Sequence, residues 1–214
     1  MNKLLILIAA ITFAITNCHA QDYKTIQEKT FIAFDTTWDY TQKANIGNKL
    51  SLIAKKYNTE WTAHYYAAYA QRQLSYLEKD ESKRDAYLDE ADKEYADMME
   101  ILKKDNEETY ILAAMIANAR LAVKPMNRWQ KYGKIFDQNI ESAKAINPNN
   151  PRIYLIQGMS KYYTPKAFGG GAKNAKPYFE KAAGFFANDT ETDITKPHWG
   201  KQMTAYMLDQ CNKD

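Results

Sequence analysis

The chain has 214 residues, 45% hydrophobic and 26% charged, enough for one domain or a continuous repeat array with a substantial core. Eight glycines and six prolines are too few for long flexible linkers or collagen-like segments. Of 29 basic residues one, Lys3, lies in the leader described below, leaving 28 against 26 acidic residues, with the signs interspersed and no Lys/Arg block to mark a nucleic-acid footprint.

Residues 1–20 follow the secretory pattern. Lys3 is the basic region, Leu4 to Ile15 is an apolar run too short to span a bilayer comfortably, and Cys18-His19-Ala20 offers a small-residue cleavage site before Gln21. The expectation is an exported protein, periplasmic or secreted, with no membrane span in the mature chain. A lipid anchor on Cys18 is the alternative, although Ile15-Thr16-Asn17 departs from the usual leucine and small residues before such a cysteine. After cleavage only Cys211 of the two cysteines remains, so no internal disulfide forms and stability must come from packing.

Residues 21–214 read as a single all-α domain of about eight to nine helices. Asp22 caps a first helix in which Phe31, Phe34 and Trp38 share a face. A second follows a break at Asn45-Ile46-Gly47-Asn48, with Leu50, Ile53, Ala54 and Tyr57 inward. A third starts at Thr59 and carries a wide apolar band of Trp61, Tyr65, Ala68, Tyr69 and Leu74. Ser82 is available to cap a long fourth helix to about Lys103, with Tyr87, Ala91, Tyr95 and Met98 inward and Asp89, Glu90, Asp92, Lys93 and Glu94 as a solvated face. The fifth, Glu108 to about Val123, is rich in alanine, and Lys124-Pro125-Met126 ends it. A linker carrying Arg128 and Trp129 leads to a sixth, from about Lys131 to Ile146.

Asn147-Pro148-Asn149-Asn150-Pro151 is the turn around which the rest is organised, because prolines stop one helix and permit the next. Asp105-Asn106-Glu107-Glu108 holds the same place one unit earlier, the internal echo expected of a repeat. Beyond the turn, Tyr154, Gly158 and Tyr162 mark a seventh helix, with Gly158 small enough for a close crossing. An unusually long connection, Thr164 to Gly171, precedes an eighth helix in which Ala175, Phe179 and Ala182 share a face. Asn188 to Thr195 reads as a polar loop, and Pro197-His198-Trp199-Gly200 opens a last helix that caps the stack.

Through the Ala175, Phe179, Ala182 pattern and the Asn147–Asn150 turn, the chain resembles the tetratricopeptide superfamily. Glu60-Trp61 with Tyr65-Tyr66-Ala67-Ala68, Asn149-Asn150-Pro151-Arg152 with Tyr154, Tyr162-Tyr163-Thr164-Pro165 with Phe168-Gly169-Gly170-Gly171, and Pro197 with Trp199-Gly200 resemble secreted tetratricopeptide-like proteins of Bacteroidota. The resemblance implies a stack of antiparallel helical hairpins, an α-α superhelix, and implies no activity. A more distant similarity is to the periplasmic helical component of TRAP-type transporters, which carries no ligand-contacting residue across.

In such a stack the first helix of each pair lines the concave surface. His64, Tyr65, Tyr69, Arg72, Asn118, Arg152, Tyr162 and Tyr163 are therefore the candidate binding residues. Gly169, Gly170 and Gly171 before a helix suit either a tightly packed loop or an anion held on exposed amides, although no Gly-Lys-Ser/Thr follows as a phosphate loop requires. Asp189, Glu191 and Asp193 alternate as calcium ligands do, but Ile194 stands where the loop would need to continue, and a solvated loop is the better account. His64 and His198, far apart, form no zinc motif, and no spacing brings an acid, base or nucleophile together. The expectation is a non-enzymatic binding protein without metal or other cofactor, whose partner is a protein or peptide. The alternative is a small-solute receptor, in which the glycine insertion closes a pocket over a small anionic solute.

Overall fold

Turn and cap chemistry punctuates the chain at the intervals the sequence suggests. The computed structural model describes residues 21–213, of which 21–36 form α1. There follow α2 (Tyr40–Lys56), α3 (Trp61–Leu77), α4 (Glu81–Leu102), α5 (Glu107–Val123), α6 (Pro125–Ile146), α7 (Pro151–Tyr163), a single 3-10 turn (Lys166–Phe168), α8 (Ala172–Phe186) and α9 (Lys201–Lys213). The expected leader and Cys18 lie outside the described residues. Side chains of Asp39, Asp80, Asn106 and Asn150 accept hydrogen bonds from the otherwise orphaned first-turn amides of α2, α4, α5 and α7. At α5 the bond is reciprocal, Asn106 and Thr109 each receiving the other's backbone N–H.

Asp80, not Ser82, caps α4, since Ser82 already lies within the helix, and three further boundaries differ from the sequence reading. The expected break at Asn45–Asn48 lies inside α2. A Cβ on Gly47 would stand 2.8 Å from Cδ1 of Leu74, so this glycine admits a neighbouring helix instead of ending its own. The expected linker after Val123 is already helix, because Pro125 begins α6 where its missing N–H costs nothing. Pro197–Gly200 precedes α9 rather than opening it, and Gly200 turns the chain at φ 103°.

The hairpins α3/α4, α5/α6 and α7/α8 stack so that α3, α5 and α7 adjoin one another. α2 packs on α3, and α9 closes the other end against α8. Ala175, Phe179 and Ala182 are buried, and a Cβ on Gly158 would lie 2.5 Å from the Phe179 ring, which is why α7 carries glycine at that crossing. Trp38 departs from the shared face of Phe31 and Phe34: α1 has ended by then, and Trp38 is 89% exposed. No helix among the described residues is long and apolar enough to cross a membrane.

Candidate functional site

The expected concave groove is filled by the chain itself. The segment 187–200 leaves α8 and runs back over the inner helices. There the indole N–H of Trp199 donates to the Tyr65 hydroxyl at 2.9 Å, and its ring lies 5.0 Å from that of Tyr69. The Tyr66 hydroxyl donates to the Lys196 carbonyl, and Lys24 of α1 pairs with Asp193 at 2.8 Å. That lysine, followed by the Thr195 amide, holds the Asp193 carboxyl down at about 2. The acidic loop thus spends its carboxylates on turns and on fastening to α1. Tyr65 and Tyr69 are buried, and loss of water pushes both phenols up.

Arg152 is also inside, in a polar knot. One oxygen of Glu108 accepts from the Asn150 amide at 2.5 Å and from Nε and Nη2 of Arg152 at 2.8 and 2.7 Å, while the other accepts from the Tyr65 hydroxyl at 3.2 Å. Nη1 of Arg152 lies 3.6 Å from the Asp189 carboxylate without a hydrogen bond. His64 faces away from the concave side, towards α4, with Nδ1 2.7 Å from Glu94. The helical pattern puts Glu94 on a solvated face, but it is 6% exposed, and the outer acids Asp85, Asp89 and Asp92 gather around Arg120.

The remaining concave candidates meet at an open edge. Arg72, itself buried, lies over the Tyr76 ring at 4.6 Å, and Asn118 donates to the Tyr76 hydroxyl at 3.5 Å. Tyr162 packs partly into the core, edge-on to exposed Tyr163, whose phenol burial pushes up first and then the nearness of Tyr162, Tyr206 and Tyr76. The glycine loop keeps its amides for itself: those of Gly169, Gly170 and Gly171 donate to Lys166, Pro165 and Lys161 carbonyls. Gly169 and Gly171 have φ of 77° and 90°, and a Cβ on Gly170 would strike the Thr164 carbonyl oxygen at 1.9 Å. These are backbone reasons for three glycines.

A cleft lies elsewhere, between α2 and α4 over α3. Its volume is about 640 Å³, within the range of sites that hold small molecules. Leu52, 62% exposed, and Tyr87 present apolar surface to it, Gln71 lies in its lining bonded to Ser51, and Lys55 and Lys83 supply cations. The Tyr40 hydroxyl joins the Tyr87 hydroxyl at 3.1 Å and the Glu78 carboxylate at 2.9 Å. The Tyr87 bond first, then burial and Glu78, push the Tyr40 phenol up, so it stays protonated at neutral pH. Sequence reasoning missed this cleft because it looked only along the first helices. Its one signal was Leu52, an apolar residue off the inward face of Leu50, Ile53 and Tyr57.

No protein-family model and no curated protein matches the chain. A solved structure does: the HusA haemophore from Porphyromonas gingivalis, 34% identical, with a TM-score of 0.73 over 89% of this chain and 93% of that one. That protein is all-helical and comes from a member of the Bacteroidota, which agrees with the coarse resemblance to helical exported proteins of that group. The likeness corrects the expected partner. A haemophore is named for a small molecule, haem, where the superhelical reading expected a protein or peptide.

Proposed function

The chain belongs to the family of the HusA haemophore, and on that footing we propose that it binds haem as cargo, outside the cytoplasm. It is a binding protein and not an enzyme. The observation that carries the reading to a place in the molecule is the cleft between α2 and α4. A tetrapyrrole needs apolar surface against its faces and cations for its carboxylates. Leu52, Tyr87 and Tyr40 supply the first, and Lys55 and Lys83 the second. Among the described residues no histidine, methionine or cysteine lines the cleft. Tyr40 would give up two hydrogen bonds and a favoured proton to serve iron. Recognition therefore rests on the macrocycle and its carboxylates, with the metal incidental.

The test is absorbance titration of haemin and of iron-free protoporphyrin. Saturable binding of both with similar affinity is expected, weakened when Leu52→Glu places a charge on the apolar wall. No saturable change with either porphyrin would overturn the reading. A second site is favoured by one observation, the gathering of Tyr76, Tyr163 and Tyr206 at the open edge. Weakening by Tyr163→Ala and not by Leu52→Glu would move the cargo there.

A further inference from the structure

We propose that His64, Glu94 and Asp97 form a site for a borderline divalent cation, zinc being the best fit, at the α3/α4 interface and apart from the haem-binding cleft. The ligating atoms of the three side chains all lie within 4.8 Å of one another. His64 projects from α3, while Glu94 and Asp97 project from one face of α4, three residues apart. A histidine on one helix facing carboxylates spaced by a turn on its neighbour is how helical bundles hold metals in their interiors.

Charge is the independent argument. His64 and Glu94 are 5% and 6% exposed, so both have left most of their water behind. Asp97, half-buried beside them, makes no hydrogen bond and no ion pair among the described residues. Two carboxylates so close repel, and one imidazole offers at most a single compensating charge. A divalent cation neutralises both. Imidazole with carboxylate selects zinc or a neighbouring transition metal over calcium and magnesium, which prefer all-oxygen shells.

The geometry is close to what loading requires. Nδ1 of His64 and Oε2 of Glu94 are 2.7 Å apart. Tetrahedral zinc with bonds near 2.0–2.1 Å needs roughly 3.3 Å between ligand atoms, so His64 and Glu94 must part by about 0.6 Å while Asp97, its oxygen within 4.8 Å of theirs, draws in. The partial exposure of Asp97 leaves the fourth position to water. Sequence spacing missed the site because thirty residues separate the histidine from the first carboxylate and only the hairpin brings them together.

Calorimetric titration of zinc into the chelator-treated protein tests the proposal. One equivalent is expected to bind and raise the melting temperature. Asp97→Asn should weaken zinc binding about tenfold or more, at least the loss seen when a ligand's own supporting partner is removed. Because the change breaks no hydrogen bond and removes a charge that repels Glu94, that variant should melt no lower than the parent without metal. Absence of one-equivalent binding, or binding indifferent to Asp97→Asn, would overturn the assignment. His64→Gln serves as a second probe if it folds, and retained zinc binding there would overturn it equally.

Discussion

Glu108→Gln is the sharpest perturbation the fold offers. It leaves the shape nearly unchanged and removes the charge at the centre of the knot formed by Asn150, Arg152 and Tyr65. Glu108 and Arg152 are 6% and 7% exposed, so the guanidinium that remains cannot recover its water in place. Breaking one side of such a buried pair costs about 3–5 kcal/mol, a large part of the roughly 5–15 kcal/mol that keeps a domain folded. For a chain of this size about 2–4 °C is lost per kcal/mol, so the melting temperature should fall by roughly 6–20 °C. Thermal unfolding followed by circular dichroism measures it, with fluorescence of Trp199, which donates to Tyr65, as a local report. The partner variant Arg152→Met, alone and combined with Glu108→Gln, completes a double-mutant cycle. The double variant should be less damaged than the two losses summed, since an apolar replacement leaves no charge stranded. A fall below about 2 °C for Glu108→Gln, or strict additivity in the cycle, would refute the reasoning.

Two further outcomes follow from the same interior. Tyr23, Tyr65, Tyr66 and Tyr69 all have phenols pushed well up, chiefly by burial. Above pH about 10 the unfolded chain releases these protons and the folded one keeps them, so stability is complete below that pH and falls above it. Each such phenol approaches about 1.4 kcal/mol per pH unit, and urea midpoints measured from pH 8 to 11.5 should drop steeply beyond 10; a flat profile would contradict the buried tyrosines. Trp199→Ala should cost about 3–5 kcal/mol and release the segment 187–200 from Tyr65 and Tyr69. Limited proteolysis should then cut within that segment before elsewhere, and unchanged resistance would show that the indole does not hold it.

Much of the architecture was legible from residue pattern because helices are local. The 3-and-4 spacing of Ala175, Phe179 and Ala182, the prolines at 148 and 151, and the echo at Asp105–Glu108 act over a single turn or hairpin, and no tertiary contact needed to overrule them. Gly158 at a close crossing was legible for the same reason. The break placed at Asn45–Asn48 failed where a tertiary contact did intervene: Leu74 of α3 packs so close to position 47 that any Cβ there would force a shift, and local signals cannot distinguish that closeness from a turn.

The sequence by itself determined the all-helical class and the hairpin order. Tertiary structure alone decided which surface is open. Asn188 to Thr195 reads as a polar loop and Pro197–Gly200 as the opening of a helix, yet Ile194 and Trp199 are buried, and the groove expected around Tyr65, Tyr69 and Arg152 closes under this segment. Burial and pairing depend on residues more than a hundred positions apart, such as Tyr65 with Trp199, or thirty apart, such as His64 with Glu94. Helical periodicity says which face of a helix turns inward and is silent about what arrives to cover it.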